Sequence, residues 1–92
     1  MGEKTEFEKL KKDLEKIKYV EKVDIEKTDE TVLITIVDLS QDFLEIEGFN
    51  FFEQKRKLIK DIFKAFSDNN IRIEEEEFED NDTYFYIVSY LN

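Results

Sequence analysis

The sequence contains no cysteine, histidine, proline or tryptophan and has only two glycines. Without cysteine and histidine, the chain has no disulfide framework, no thiol nucleophile and neither of the side chains that usually bind zinc or haem iron. The missing histidine also removes the group best suited to proton transfer near neutral pH. Because the pattern shows no phosphate loop and no nucleophile beside a base, we predict that the protein is not an enzyme and binds no cofactor or metal.

Long apolar runs are missing as well. No segment approaches the roughly 20 apolar residues of a membrane-spanning helix, and the charged N-terminal residues provide no apolar core for a signal peptide. Of the 92 residues, 40% are hydrophobic and nine are phenylalanine, which is enough apolar surface to build one core. We therefore expect a single domain over residues 1–92 that is cytoplasmic and does not contact a membrane.

Two segments carry apolar residues at the spacing of an amphipathic helix. The first predicts a helix over residues 5–18, with Thr5 as the capping residue at its start. The second predicts a helix over residues 51–68, capped by Asn50 and ended by a left-handed residue supplied by the pair Asn69-Asn70. The apolar positions that define the two stripes are Phe7, Leu10, Leu14 and Ile17 in the first helix and Phe52, Leu58, Ile59, Ile62, Phe63 and Phe66 in the second.

Each predicted helix is followed by two strand-like runs joined by a short polar turn, so the element order is αββαββ. Residues 31–39 and 83–91 are apolar on both faces, as in central strands, whereas residues 19–27 and 71–79 carry the charges that protect sheet edges. We predict an α+β two-layer sandwich, a four-stranded antiparallel sheet with strand order β1-β2-β4-β3 and both helices on one face. In element order the chain resembles a permuted ferredoxin-like fold with its first strand moved to the C-terminus, a resemblance that implies a fold but no activity.

The pairing of the strands decides which side chains face the helices. A four-residue turn in the first hairpin pairs Ile25 with Ile34 on the helix-facing side and leaves the charges of that strand outward. In the second hairpin, Phe85 and Ile87 are expected to face the helices, although another turn length exchanges the two sets. The opposite, open face then carries a tyrosine row near Leu33 and Val37, formed by Tyr84, Tyr86 and Tyr90.

A row of tyrosines on a face that two helices cannot cover indicates an interface, since tyrosine supplies a large rigid contact area and a hydroxyl that can stay hydrated. The alternative is that the connection over residues 40–49, with its phenylalanine, leucine and isoleucine side chains, folds over this face. RNA-binding modules also expose aromatic residues on a sheet, but they surround them with lysine and arginine. Here the flanking strands are acidic, so we do not expect nucleic-acid binding.

The charge is strongly negative and unevenly placed. The formal net charge is -10, and residues 28–54 and 74–92 each hold seven acids and no base, whereas residues 55–73 hold six bases and two acids. An acidic edge strand can simply be a solvated face that prevents aggregation. Alternatively, alternation along a strand presents carboxylates on both sides, much as two phosphate rows would. The acidic residues that we select as a candidate partner site are Glu74, Glu75, Glu76, Glu77, Glu79, Asp80 and Asp82, with Asp42, Glu45 and Glu47.

Small size, acidity, an aromatic face and missing catalytic chemistry together favour an inhibitor that binds another protein. The expected partner is a protein with a basic surface that normally receives nucleic acid, and anti-defence and immunity proteins are analogous classes. The alternative is a homodimeric assembly or chaperone-like adaptor that pairs through the tyrosine row and uses its carboxylates only for solubility.

Overall fold

The structure is a computed structural model that describes the backbone of residues 2–91 and the side chains of residues 7–91. Its elements in chain order are α1 (Gly2–Glu15), β1 (Val20–Lys27), β2 (Val32–Leu39), α2 (Gln41–Leu44), α3 (Phe49–Asp68), β3 (Arg72–Ile73), a 3-10 helix (Glu75–Glu77), β4 (Glu79–Asp80) and β5 (Tyr84–Tyr90). The predicted α+β class is confirmed. None of the helices in the described part of the chain has the length and apolar character needed to cross a bilayer.

One antiparallel sheet contains all five strands, in the order β1-β2-β5-β3, with β4 also paired to β5. The predicted order of four strands is wrong because residues 71–79 do not form one strand, and the ferredoxin-like arrangement is not confirmed. Ile73 and Phe78 both pack against the core. Since they are separated by an odd number of positions, a regular strand would point them to opposite faces. The 3-10 helix between them interrupts the strand alternation, so both side chains can face the core.

Both long helices begin earlier than predicted. The helix α1 starts at Gly2, so Thr5 lies inside the helix and does not cap it, and the Thr5 side chain is outside the described residues. The cap of α3 is Gly48, which has a positive φ of 68° and offers no side-chain hydrogen bond, so Asn50 already lies within the first turn. The end of α3 is as predicted, with Asn70 in the left-handed region at φ 57°.

The core lies between the two long helices and one face of the sheet. Leu10 and Leu14 of α1 and Ile62 of α3 are fully buried in it. The sheet side chains packed there are Val23, Leu33, Val37, Phe85 and Ile87. Asn69, at the end of α3, donates its amide to Asp13 of α1 at 3.0 Å and to the Ala65 carbonyl at 2.7 Å, which links the two helices outside the core.

The first hairpin differs by one residue from the predicted register. Ile25 opposes Thr35, not Ile34, because Lys27 pairs with Leu33, which leaves five residues between the last paired positions instead of four. A shift of one residue turns every side chain of a strand to the other face. Leu33 and Val37, which were expected on the open face, are therefore fully buried beneath the helices.

Candidate functional site

The face of the sheet opposite to the helices, called the open face below, is an apolar surface made by two central strands. Residues that are directly paired across an antiparallel ladder point to the same face. Ile34 pairs with Val88, Ile36 with Tyr86, and Val32 with Tyr90. The side chains of β2 and β5 that form the open face are Val32, Ile34, Ile36, Asp38, Tyr84, Tyr86, Val88 and Tyr90. All are half-buried except Val88, which is 7% exposed.

The structure shows which side chains of the second hairpin face the helices. Phe85 and Ile87 have no exposed surface and pack with the helices, and the three tyrosines lie on the other side. The alternative, in which the connection over residues 40–49 folds over the tyrosine row, is contradicted, because this connection packs elsewhere. Phe43 is fully buried in the helix-side core, with its ring 5.5 Å from that of Tyr19 and 5.2 Å from that of Phe51.

Carboxylates flank the open face on both sides, and we call Asp24, Glu26, Glu77 and Glu79 the acidic rim. Asp24 and Glu26 of β1 pair with Ile36 and Ile34, so they lie beside the apolar centre on the β1 side. Glu79 of β4 pairs with Tyr86 and lies on the opposite side. One row across the sheet therefore reads Asp24, Ile36, Tyr86 and Glu79, with a negative charge at each end.

Tyr90 connects the open face to the acidic rim directly. Its hydroxyl donates a hydrogen bond to a Glu77 carboxylate oxygen at 3.2 Å. This bond and the charge of Glu77 raise the pKa of Tyr90 above its ordinary value, since both favour the protonated phenol. Two cations lie at the margin of the same face: Lys22, 3.8 Å from an oxygen of Asp24, and Arg72, which is paired with Tyr90 across the strands.

The predicted acidic hairpin does not present two regular rows of charge. Glu74 turns back to accept a hydrogen bond from the Glu76 amide at 3.4 Å, which caps the 3-10 helix. Asp80 points to the helix side, where it forms an ion pair with Lys55 of α3. The exposed carboxylates of Glu75, Glu76 and Asp82 remain in solvent along this edge.

The second predicted acidic group follows β2 and lies on and beside the short helix α2. Ser40 caps α2 by accepting a hydrogen bond from the Phe43 amide, and Asp42, Glu45 and Glu47 are exposed around it. The Leu39 amide donates to the Thr83 carbonyl at 3.0 Å, so the turn that carries Asp82 lies beside the end of β2. The group thus belongs to one end of the sheet and not to the open face.

No family model matches this chain, and neither the curated proteins nor the solved structures give a match. Within the described residues, no group of three or more acidic side chains is arranged to hold a metal ion. What the described residues do provide is an apolar surface with a negative border on the open face.

A second surface was missed from the sequence. Phe52 was placed on the buried stripe of its helix, but it is 63% exposed, and Phe49 is 91% exposed. The core side of α3 is centred on Leu58, Ile62 and Phe66, and at 100° per residue Phe52 lies well to one side of that centre. A helical wheel centred on the most apolar side of α3 is the sequence signal that places Phe52 outside the buried stripe.

Proposed function

We propose that this chain is a small acidic inhibitor that binds another protein and has no enzymatic activity. In this proposal the open face is the contact centre, the acidic rim surrounds it, and the carboxylate-rich hairpin extends the negative surface. The partner is a protein with a basic surface that ordinarily receives nucleic acid, as for the targets of nucleic-acid-mimicking anti-defence or immunity proteins. Nucleic acid and membranes are not expected as ligands.

The observation that carries the proposal is the row in which Asp24 and Glu79 enclose Ile36 and Tyr86. Specific interfaces combine an apolar centre with a polar rim, and tyrosine is enriched in them. The sign of this rim is negative, so the surface best complemented is one with lysine or arginine around an apolar or aromatic anchor. The exposed carboxylates of Glu75 and Glu76 add to the same field without taking part in the fold.

The charge also predicts how binding depends on salt. Complementary charges accelerate association, and the screening length of about 8 Å at physiological ionic strength removes all but the nearest contributions. Association with a basic partner should therefore be fast at low salt and should slow steeply as salt is added. A duplex DNA oligonucleotide should compete for the same partner if the occupied surface is its nucleic-acid site.

The test begins with a pull-down from a nuclease-treated bacterial lysate, followed by affinity measurements on the captured protein. We expect Asp24→Lys and Glu79→Lys to weaken binding by about tenfold or more and to flatten its salt dependence. Glu53→Lys and Asp68→Lys are matched controls, because both residues are exposed on α3, on the helix side of the sheet. Equal loss in the controls, or binding that does not respond to salt, would contradict the proposal.

A second candidate is a homodimeric assembly or chaperone-like adaptor that pairs through the open face. The uncovered tyrosines favour it, since truncating a central aromatic anchor of an interface commonly costs about 2 kcal/mol or more. A symmetric pairing of two open faces would, however, bring two acidic rims together. Light scattering on the wild type and on Tyr86→Ala separates the candidates: a dimer that does not grow with concentration and that the substitution dissolves favours the adaptor.

A further inference from the structure

We propose that the open face of one copy binds the outer side of α3 of a second copy, so that the chain associates with itself head to tail. The outer side of α3, called the α3 stripe, consists of Phe49, Phe52, Arg56, Lys60 and Lys64. The inference uses the same open face as the proposed function but does not require a foreign partner. It assigns an occupant to two surfaces that the fold leaves uncovered.

The α3 stripe is continuous, and Arg56 and Lys60 give it the opposite charge to the acidic rim, whereas Lys64 is paired with Asp68 at 3.0 Å. Its residues follow one another at steps of three or four, so they form one line along the helix. Phe49 and Phe52 are the two large hydrophobic residues most exposed in the described part of the chain, at 91% and 63%. The two aromatic residues are followed by Arg56 and Lys60, which are exposed. The stripe therefore combines an apolar anchor with positive charge, in a protein whose net charge is -10.

The spacing between an apolar residue and the neighbouring charged residue is similar on the two surfaces. Along a helix, four residues rise about 6 Å, which separates the apolar Phe52 from the cationic Arg56. Across the sheet, neighbouring strands are about 4.8 Å apart, which separates the apolar Tyr86 from the acidic Glu79. An aromatic ring of the stripe can thus rest on Ile36 and Tyr86 while the next turn of the helix brings a guanidinium to the rim.

Charge complementarity distinguishes this arrangement from a symmetric dimer. Two open faces would oppose negative rims, and two α3 stripes would oppose positive ones, whereas one of each brings opposite charges together. An interface between two different surfaces is heterologous, so each bound copy still offers one free surface of each kind. We expect growth beyond the dimer with rising concentration, and we expect a basic partner on the open face to dissolve the assembly.

The test uses two variants that each lose one surface. In the sheet variant, Asp24→Lys and Glu79→Lys reverse two of the four charges of the acidic rim, one on each side of the open face, but leave the α3 stripe intact. In the helix variant, Phe52→Asp and Arg56→Glu remove the stripe but leave the open face intact. All four positions are exposed, so both variants should fold, and circular dichroism with chemical denaturation verifies this. Lys11→Glu on α1 is the matched control for the loss of an exposed cation.

Sedimentation velocity over micromolar to millimolar concentrations gives the result. The wild type and the Lys11→Glu control should exceed the mass of one chain and grow with concentration. Each surface variant alone should stay monomeric, and an equimolar mixture of the two should form a 1:1 dimer that grows no further. A monomeric wild type at the highest concentration, or a helix variant that still dimerises by itself, would overturn the head-to-tail interface.

The outcome is separable from that of the proposed function. The helix variant retains the open face, so it should capture a basic partner at least as well as the wild type does. Loss of partner capture with intact self-association would reject the inhibitor and keep the head-to-tail interface. Partner capture by a strictly monomeric wild type would reject the head-to-tail interface and keep the inhibitor.

Discussion

At the scale of single residues, Thr35 is a polar core residue whose hydroxyl is not satisfied by a hydrogen bond from the described residues. It has no exposed surface, and its hydroxyl has no hydrogen-bond partner among the residues that the structure describes. Ser89, the other buried polar residue, donates its hydroxyl to the Leu33 carbonyl, although at a long 3.4 Å. Burying a hydroxyl without a partner costs desolvation free energy that no hydrogen bond offsets.

Replacing Thr35 with valine should therefore stabilise the protein, because valine has nearly the same shape and carries no polar atom. We expect the free energy of unfolding to rise by about 1 kcal/mol in urea denaturation. Thr31→Val is the matched control, since Thr31 is exposed just before β2, and it should change little. A loss of stability in Thr35→Val would show that the hydroxyl does have a partner in solution.

At the scale of elements, one carboxylate links α1 to the residue that caps the end of α3. Asp13 accepts a hydrogen bond from Asn69 and is 3.1 Å from the ammonium of Lys9. The hydrogen bond from Asn69, followed by that from Lys9, lowers the pKa of Asp13 below its ordinary value. The ionised form is thus favoured by folding.

The sign of the pH effect follows from this lowered pKa. The stabilisation is present above the pKa of Asp13 in the unfolded chain and is lost as the pH falls through the lower pKa of the folded state. The free energy of unfolding of the wild type should therefore fall more steeply than that of Asp13→Asn as the solution is acidified below about pH 4. Asp42→Asn, on α2, is the matched control; parallel curves for wild type and Asp13→Asn would exclude the coupling.

At the scale of the whole molecule, the net charge of -10 is the dominant electrostatic property. The ion pairs Lys9–Asp13, Lys22–Asp24 and Lys64–Asp68 are largely exposed, so the attraction within them is weak and does not balance the general repulsion. The repulsion is concentrated where Glu74 to Glu77 follow one another at the sheet edge. Self-repulsion of this kind destabilises a compact state and is weakened by screening.

Stability should accordingly rise when sodium chloride is added between low and physiological ionic strength. Glu76→Gln should raise the free energy of unfolding at low salt and reduce its dependence on salt, because it removes one charge from the crowded edge. Glu8→Gln on α1 should not, since lysines surround it in the sequence. Stability that falls with salt in urea titrations would mean that the ion pairs outweigh the repulsion.

Local patterns were sufficient to predict the main elements. The helical period of residues such as Leu10, Leu14, Leu58 and Ile62 is a property of the chain itself, and it predicted the two long helices. The alternation in β5 separated Phe85 and Ile87 from the tyrosines for the same reason, because every second side chain shares a face. The α+β class and the division of the β5 side chains into two sets thus follow from short-range sequence, whereas the structure decided which set forms the open face.

Only the tertiary structure decided the features that depend on distant contacts. One extra residue between the paired positions Lys27 and Leu33 exchanged the faces of β2. The isoleucines of β2, not Leu33 and Val37, therefore joined the tyrosines. Packing of both Ile73 and Phe78 on one core broke the predicted third strand and so removed its two rows of charge. The exposure of Phe49 and Phe52 was set by which side of α3 meets the core. Register, breaks and helix rotation are determined by packing between elements, which no single segment of the sequence contains.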